Sequence, residues 1–355
     1  MPDNRRIIFL DYLRIFAFVS VLVGHKSYVH ALTYINNETL HAAPRFVLEC
    51  LLPLFRGGGA GIIIFFLVSG YIITHVLQSE RPTDFFIKRI FRIYPLYIVA
   101  VLLQAIDRYY SDGHIPDIGT ILPQLLLVGD FFGTPYTLNG VEWTLRVEVV
   151  FYVFMGVLRY LNLIHEYPKT LPWILLVATI LLGILSPIPS SDIYTKGYFT
   201  IYSPFLFLGA FCYLKEIKRV SFSLLIGFTF LVLFQYYYLI SVYQPRWIGQ
   251  HFAALAVVIF LLSWRYRVNF ISTSGIRLFS DLTYSVYLFH NWMWNPIKKA
   301  LGETSASILH PDIEALFVLL WVCFFMLKLV EKPSVKLGRV VSKYIREKYS
   351  KPNTN

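Results

Sequence analysis

Two of the ionisable residues in a mostly apolar N-terminal stretch give the first indication of chemistry. Arg14 and His25 lie eleven residues apart. In a helix this spacing places both side chains on one face, about 16 Å apart along the axis. An imidazole is a suitable general base near neutral pH, and a guanidinium binds phosphate oxygens. The alternative interpretation is a snorkelling arginine and a histidine in an interfacial aromatic belt.

A second set of polar residues lies at the start of an apolar segment in the middle of the chain. It consists of Glu142, Arg146 and Glu148. In a helix, Glu148 lies about 9 Å deeper than Glu142, which disfavours a purely interfacial role. A carboxylate that fixes the tautomer of a histidine supports a histidine base, so Glu148 is a candidate partner of His25. A purely structural ion pair of Glu148 with Arg146 or His25 is the alternative.

The glycine-rich stretch 56–61 opens an apolar segment that contains Ser69. It lacks the Gly-Lys-Ser/Thr ending of a phosphate-binding loop, so close helix packing through small residues is favoured. Ser69 is a candidate nucleophile that would be transiently acylated. A lone serine in a membrane helix more often forms a structural hydrogen bond, and the sequence leaves both interpretations open.

The basic stretch 88–95 contains Arg89, Arg92 and Tyr94 just before another apolar segment. Two arginines near one membrane surface form a candidate clamp for phosphate groups. The alternative is the ordinary excess of positive charge on the cytoplasmic side.

Residues 281–290 end on His290, three positions after Tyr287. Because this stretch is largely apolar, its polar side chains are candidates for function. We favour packing or substrate contact over catalysis for His290.

The elements that carry these residues are predicted from composition. Hydrophobic residues make up 56% of the chain and charged residues only 15%, against about 25% in an average soluble domain. The mean hydropathy is +0.58. These values exclude a soluble or disordered chain and predict a polytopic membrane protein. The three cysteines are far apart, so neither a disulfide framework nor a zinc site is expected.

Ten transmembrane helices are predicted, which makes the fold class all-α. They cover approximately 9–30, 60–78, 93–107, 142–164, 172–187, 199–214, 220–240, 250–264, 282–300 and 312–330. Most lysines and arginines then fall on one side, which places both termini in the cytoplasm and accounts for the net charge of +11 without nucleic acid. We expect one transmembrane domain over 1–335 and a basic cytoplasmic tail over 336–355 lying against anionic lipid.

Six motifs in chain order resemble the acyltransferase 3 family of bacterial integral-membrane O-acyltransferases. They are Arg-x10-His at 14–25, Phe-Phe-x-x-Ser-Gly-Tyr at 65–71, Arg-x-Tyr-Pro at 92–95, Trp-Thr-Leu-x-x-Glu-x-x-Phe-Tyr at 143–152, Tyr-Ser-x-Tyr-Leu-x-His at 284–290 and Glu-Lys-Pro at 331–333. Each motif alone is weak. Together and in this order they are specific, and they span nearly the whole chain.

The resemblance implies transfer of an acyl group, usually acetyl from acetyl-CoA, to a hydroxyl of a cell-envelope or exported carbohydrate. It implies a multi-pass protein of the bacterial inner membrane, with acetyl-CoA, a carbohydrate or lipid-linked saccharide and membrane lipid as partners, and with no permanently bound cofactor or metal. We expect His25, Glu148 and Arg14 in catalysis, Arg14, Arg89, Arg92, Tyr94 and Ser69 at the donor, and Glu142, Trp143, Tyr287 and His290 at the acceptor.

A transporter or flippase of a carbohydrate-linked lipid is the alternative function. In that case the charged residues within the apolar segments would line a gated pathway. Against this, the sequence shows neither repeat halves nor paired broken helices.

Overall fold

The computed structural model describes residues 6–39, 41–113, 116–164, 169–190, 196–247, 251–303 and 310–350. Throughout these residues the secondary structure is helical, with no strands. The α-helices in chain order are α1 Ile8–Lys26, α2 Tyr28–Ile35, α3 Ala42–Leu51, α4 Gly59–Val76, α5 Pro82–Asp112, α6 Ile118–Leu125, α7 Trp143–Tyr160, α8 Leu171–Ile184, α9 Tyr198–Glu216, α10 Phe222–Tyr243, α11 Phe252–Arg265, α12 Ser274–Phe289, α13 Trp294–Glu303, α14 Pro311–Met326 and α15 Lys332–Ser350.

Among the described residues, five helical stretches are long and apolar enough to cross a membrane. They are Ile8–Lys26, Ala42–Val76, Pro82–Asp112, Phe222–Tyr243 and Pro311–Lys348. Shorter apolar helices cover Leu171–Ile184 and Phe252–Arg265. The all-α fold is therefore confirmed for the described residues, and five of their helical stretches are candidate membrane spans. Ten spans and the cytoplasmic termini stay predictions.

Two predicted spans differ in extent from the helices that contain them. The span 93–107 is only the middle of α5, whose 31 residues include polar turns at both ends that hydropathy does not detect. The span 282–300 is divided between α12, which ends at Phe289, and α13, which begins at Trp294. An apolar sequence does not show such a break, because hydropathy reports burial and not backbone continuity.

The helix α4 lies at the centre of the first of two compact units, which comprises residues Met1–Ser79 and Val147–Ser280. It packs against α1, α9 and α11. Its contact with α9 is made by backbone, since a Cβ on Gly70 would collide with the carbonyl oxygen of Leu206, and one on Gly209 with that of Leu67. Small residues at such crossings let helices approach closely.

Replacing Gly70 by alanine is expected to destabilise the first unit by about 1–3 kcal/mol, because overpacking forces the α4 and α9 backbones apart. Gly227 on α10 is a matched control, since a Cβ there meets nothing within 4 Å. Alanine at Gly227 should be neutral or stabilising by up to about 1 kcal/mol. Thermal unfolding of both purified variants in one detergent checks the prediction, and equal melting temperatures would contradict it.

The second unit comprises residues Glu80–Arg146 and Asp281–Asn355, and α5 packs against α15 within it. A π-helical turn, Leu327–Glu331, joins α14 to α15. Gly338 lies against Phe91, and the Ser342 hydroxyl donates to Asp84 at 2.6 Å. The described part of the expected tail, residues 336–350, is thus a helix packed on α5. Its cytoplasmic location stays a prediction.

Candidate active site

One uninterrupted helix, α1, carries both Arg14 and His25. The two side chains therefore lie on one helix face, as their spacing predicts. Helix α4 runs antiparallel to α1: Gly58 lies against Val21, and Gly61 lies against Ala17. Farther along, the rings of Tyr71 and Phe9 meet edge to face with centroids 5.6 Å apart. This register fixes the level of each α4 residue along α1.

His25 lies near the C-terminal end of α1 and is an exposed residue. The ring donates a hydrogen bond to the backbone carbonyl of Gly57. The turn at Gly57 approaches α1 closely because Gly58 has a left-handed backbone, φ +68°, and because Gly24 has no side chain in the contact. With one ring nitrogen donating, the other nitrogen of the neutral imidazole is an acceptor. That is the state that a general base requires.

Arg14 is held by a buried carboxylate on the same helix. The Asp11 side chain is 1% exposed, and its Oδ1 lies 3.5 Å from Nη1 of Arg14. Arg6 contacts the other oxygen of Asp11 at 2.5 Å, and the Ser280 hydroxyl donates to Oδ1 at 2.7 Å. Our sequence reasoning did not assign a role to Asp11. Its position three residues before Arg14 was the available signal.

Ser69 and Glu148 meet in the interior of the first unit. The Ser69 hydroxyl donates to Glu148 Oε1 at 2.5 Å, and the Tyr152 hydroxyl donates to the same oxygen at 2.5 Å. The Glu148 residue is 6% exposed. Tyr152 is the last residue of the motif at 143–152. Its position four residues after Glu148, one helical turn away, is the signal that identifies it.

The helix register separates Glu148 from His25. Because Tyr71 meets Phe9, Ser69 lies at the level of Asp11, about 20 Å from His25 along α1. Glu148 is bonded to Ser69 and therefore lies at the Arg14 end of the helix. The pairing of Glu148 with His25 that we expected from the sequence is thus not what the structure shows. The reason is that the antiparallel packing of α4 on α1, rather than depth along α7, decides which side chains meet.

In the second unit Glu142 and Arg146 form a separate buried network. Glu142 Oε1 accepts hydrogen bonds from the Thr137 backbone N–H at 2.7 Å and from Arg146 at 3.2 Å. Arg146 also donates to Asp130 at 2.5 Å. Arg146 therefore pairs with Glu142 and Asp130 rather than with Glu148. Asp130 lies in a short 3-10 helix, Gly129–Phe132, and was not predicted.

The acceptor candidates Tyr287 and His290 lie beside the start of α7 in this second unit. The Tyr287 hydroxyl donates to the Val141 carbonyl at 2.6 Å and lies 2.5 Å from the Thr144 hydroxyl. Nδ1 of His290 lies 2.8 Å from the Tyr287 carbonyl oxygen. Trp143, the first residue of α7, is half-buried. Tertiary packing thus brings the motifs at 143–152 and 284–290 together.

The donor candidates on α5 also lie in the second unit. The buried carboxylate of Glu331 accepts a hydrogen bond from Ser285 at 3.2 Å and lies close enough to Arg92 for their charges to interact. The Arg89 guanidinium lies 5.3 Å from the centre of the Phe85 ring. The Tyr94 hydroxyl donates to the Leu126 carbonyl at 3.4 Å. Their binding of phosphate stays a prediction.

Comparison with known proteins identifies the family to which the chain belongs. The family model described as "Acyltransferase domain" matches residues 7–330, nearly the whole chain. The chain belongs to this acyltransferase 3 family. The matched range includes parts of both units and every site residue that the sequence predicted.

Curated relatives match over shorter stretches. The chain is 27% identical over 175 residues to Nodulation protein 10 of Rhizobium leguminosarum bv. viciae, covering 42% of this chain and 43% of that protein. It is 30% identical over 166 residues to Peptidoglycan O-acetyltransferase OatA of Listeria monocytogenes, covering 40% of this chain and 26% of that protein. It is 25% identical over 182 residues to Acyltransferase MdmB of Streptomyces mycarofaciens, covering 48% and 43%.

The matched stretch is therefore less than half the length of each of these relatives. No solved structure matches the chain. The comparisons accordingly support the family and leave the donor and the acceptor to be proposed.

Proposed function

We propose that this acyltransferase transfers an acetyl group from acetyl-CoA to a hydroxyl of a cell-envelope or exported polysaccharide in the bacterial inner membrane. The observation that carries the proposal is the arrangement of α1, with Arg14 held by Asp11 toward one end and an exposed His25 bonded to Gly57 near the other. The relative named as a peptidoglycan O-acetyltransferase supports a carbohydrate hydroxyl as the acceptor.

His25 acts as the general base. Its accepting ring nitrogen takes the proton of the acceptor hydroxyl while that oxygen attacks the thioester carbonyl. The carbon–sulfur bond then breaks, and the proton passes from the imidazolium to the CoA sulfur. The products are the O-acetyl ester and CoA with a free thiol. The hydrogen bond to Gly57 holds the tautomer that this step needs, a role that a carboxylate has in other histidine bases.

The Arg14 end of α1 binds the donor. A guanidinium binds phosphate oxygens through paired hydrogen bonds, and Arg14 is 26% exposed. The bound donor extends from Arg14 along α1, which places its thioester near His25. Ser69 and Glu148 lie at the donor end, so we assign Glu148 to that end rather than to His25.

The acceptor is assigned to the four side chains that the sequence singled out for it. Trp143 and Tyr287 supply aromatic surface, and Glu142 and His290 supply hydrogen-bonding groups, which are the chemical types that hold a saccharide in place. A lipid-linked saccharide would reach these residues from the membrane.

Oriented vesicles test the proposal. Purified protein is reconstituted with one orientation selected, and acetyl-labelled acetyl-CoA is supplied to one face at a time. We expect labelled ester on an added saccharide acceptor only when the donor is on the face that carries the C-terminal helix α15, since acetyl-CoA is cytoplasmic. Transfer from the opposite face alone would contradict the donor placement. Movement of a lipid-linked saccharide without transfer of label would favour the transporter.

A further inference from the structure

A left-handed turn of three residues lies just before α7 in the second unit. Leu138, Asn139 and Gly140 have φ angles of +51°, +53° and +81°. Glycine and asparagine adopt this backbone readily, but a bulky leucine rarely does. Such a backbone persists only where the surrounding structure holds it, and it is concentrated at binding and catalytic sites. The turn is therefore a candidate part of a ligand site.

Gln104 on α5 holds this turn in place. The residue is buried, and its Oε1 accepts hydrogen bonds from the Leu138 backbone N–H at 2.6 Å and from the Thr137 hydroxyl at 2.9 Å. Its Nε2 donates to Asn139 Oδ1 at 3.3 Å. A buried amide is costly unless its polar atoms are bonded, and these three bonds use both of them. Gln104 thus fixes the backbone of the turn and the side chain of Asn139 together.

The turn also contacts the break between α12 and α13. Asn291 Nδ2 donates to the Asn139 carbonyl oxygen at 2.9 Å, and Asn139 Nδ2 donates to the Asn291 carbonyl oxygen at 3.5 Å. Asn291 directly follows His290 in the chain. The Tyr287 hydroxyl donates to the carbonyl of Val141, two residues after Asn139. Asn139 therefore lies beside two of the residues that are assigned to the acceptor.

The Asn139 amide has hydrogen-bonding capacity left for a ligand. An asparagine amide can accept two hydrogen bonds and donate two. Asn139 Oδ1 receives one from Gln104, and Nδ2 gives one to Asn291. Because Asn139 is an exposed residue, one acceptor position and one N–H remain within reach of a ligand. An acceptor and a donor side by side match two neighbouring hydroxyls of a sugar ring, one donating and the other accepting.

A buried carboxylate oxygen beside the turn also favours a hydroxyl-bearing ligand. Glu142 Oε1 accepts from the backbone N–H of Thr137, the residue before the turn, at 2.7 Å. Glu142 Oε2 is buried and accepts no hydrogen bond from the described residues. Buried polar atoms in proteins are almost always bonded. A hydroxyl group that enters beside the turn would supply the donor that this oxygen lacks.

We propose that Asn139 binds hydroxyl groups of the saccharide acceptor and that Gln104 positions it. The inference rests on the proposed function and adds two residues to its acceptor site. Asn139 touches the saccharide, whereas Gln104 acts through Asn139 and the left-handed turn. Because the Asn139 amide is fixed before the saccharide binds, little side-chain entropy is lost on binding.

Steady-state kinetics with each substrate varied separately test the proposal. The acceptor probe is the host's own surface polysaccharide, freed of O-acetyl groups by mild alkali and cleaved to oligosaccharides. Asn139→Gly removes the amide and keeps the backbone, since glycine adopts a positive φ freely. We expect the KM for the oligosaccharides to rise about five- to fiftyfold, the effect of losing one or two uncharged hydrogen bonds. The KM for acetyl-CoA should change by less than about twofold.

Gln104→Met tests the positioning role. It leaves the Thr137 hydroxyl and the Leu138 N–H without their acceptor, so the turn no longer fixes Asn139. We expect the KM for the oligosaccharides to rise and the KM for acetyl-CoA to stay within about twofold of the wild type. A merely structural role would lower kcat or the yield of folded protein without this split between the two KM values, and that result would overturn the positioning role.

Asn162→Gly is the matched control for Asn139→Gly. Asn162 is another exposed asparagine with a left-handed backbone, φ +60°. Its replacement should leave both KM values within about twofold of the wild type. If Asn162→Gly raises the KM for the oligosaccharides as much as Asn139→Gly does, the effect is a general loss of structure and the proposal is overturned.

Titration calorimetry of the oligosaccharides without donor gives a readout that is independent of catalysis. Asn139→Gly should weaken this binding by about the same factor as it raises KM. This variant keeps the test valid if Gln104→Met does not fold. If the wild type acetylates none of the oligosaccharides, the proposed function fails. If it acetylates them and Asn139→Gly changes neither their KM nor their affinity, only this inference fails.

Discussion

His25→Ala is expected to lower acetyl transfer by about 10²–10⁴-fold, the usual contribution of a positioned general base. The chain should remain folded, because the ring is exposed and its removal leaves no buried cavity. The measurement is the initial rate of labelled acetyl transfer by purified protein, with folding checked by size-exclusion chromatography. Near wild-type turnover would end the assignment of His25 as the base.

Two further substitutions separate proton transfer from structure at this position. In His25→Asn and His25→Gln an amide N–H can replace the ring donor to the Gly57 carbonyl but cannot take up a proton. Both variants should be as inactive as His25→Ala. His30→Ala, five residues further on, makes the same truncation at another exposed histidine and should keep full activity. Activity in the Gln or Asn variant would show that His25 stabilises the turn at Gly57 and does not act in proton transfer.

Glu148→Ala is expected to destabilise the first unit by about 2–6 kcal/mol. The Ser69 and Tyr152 hydroxyls both donate to Glu148 Oε1, and each buried donor left without an acceptor costs about 1–3 kcal/mol. Glu148→Gln keeps an amide oxygen in the same place, so it should lose much less stability than Glu148→Ala. Denaturation of the purified variants measures the difference. Glu347→Ala on the surface of α15 is the control and should change stability by less than about 0.5 kcal/mol.

The folded Glu148→Gln variant also tests the register of α4 on α1. Because Glu148 lies at the level of Asp11, about 20 Å from His25, the pH dependence of turnover should keep its wild-type shape. A carboxylate in contact with the base would instead shift the acidic limb of that profile when it is neutralised. A shifted acidic limb in Glu148→Gln would therefore support the pairing of Glu148 with His25 that the sequence suggested.

The sequence by itself determined the features that depend on one segment. Low charge and high hydropathy require apolar helices, since a membrane offers no water to hydrogen-bond an open backbone. The eleven-residue spacing places Arg14 and His25 on one face of α1 because the helix repeat is fixed. The ordered motifs indicated the acyltransferase family, which the match over residues 7–330 confirms.

Only the tertiary structure decided which side chains meet. Depth along separate helices suggested that Glu148 reaches His25, but the glycine contacts that set α4 antiparallel on α1 place Ser69, and with it Glu148, at the Asp11 end. The role of Asp11 depends on Arg6 and on Ser280, which is 269 residues away in the chain. Such contacts are set by packing between helices, and a hydropathy pattern reports which residues are apolar but not which helix each one faces.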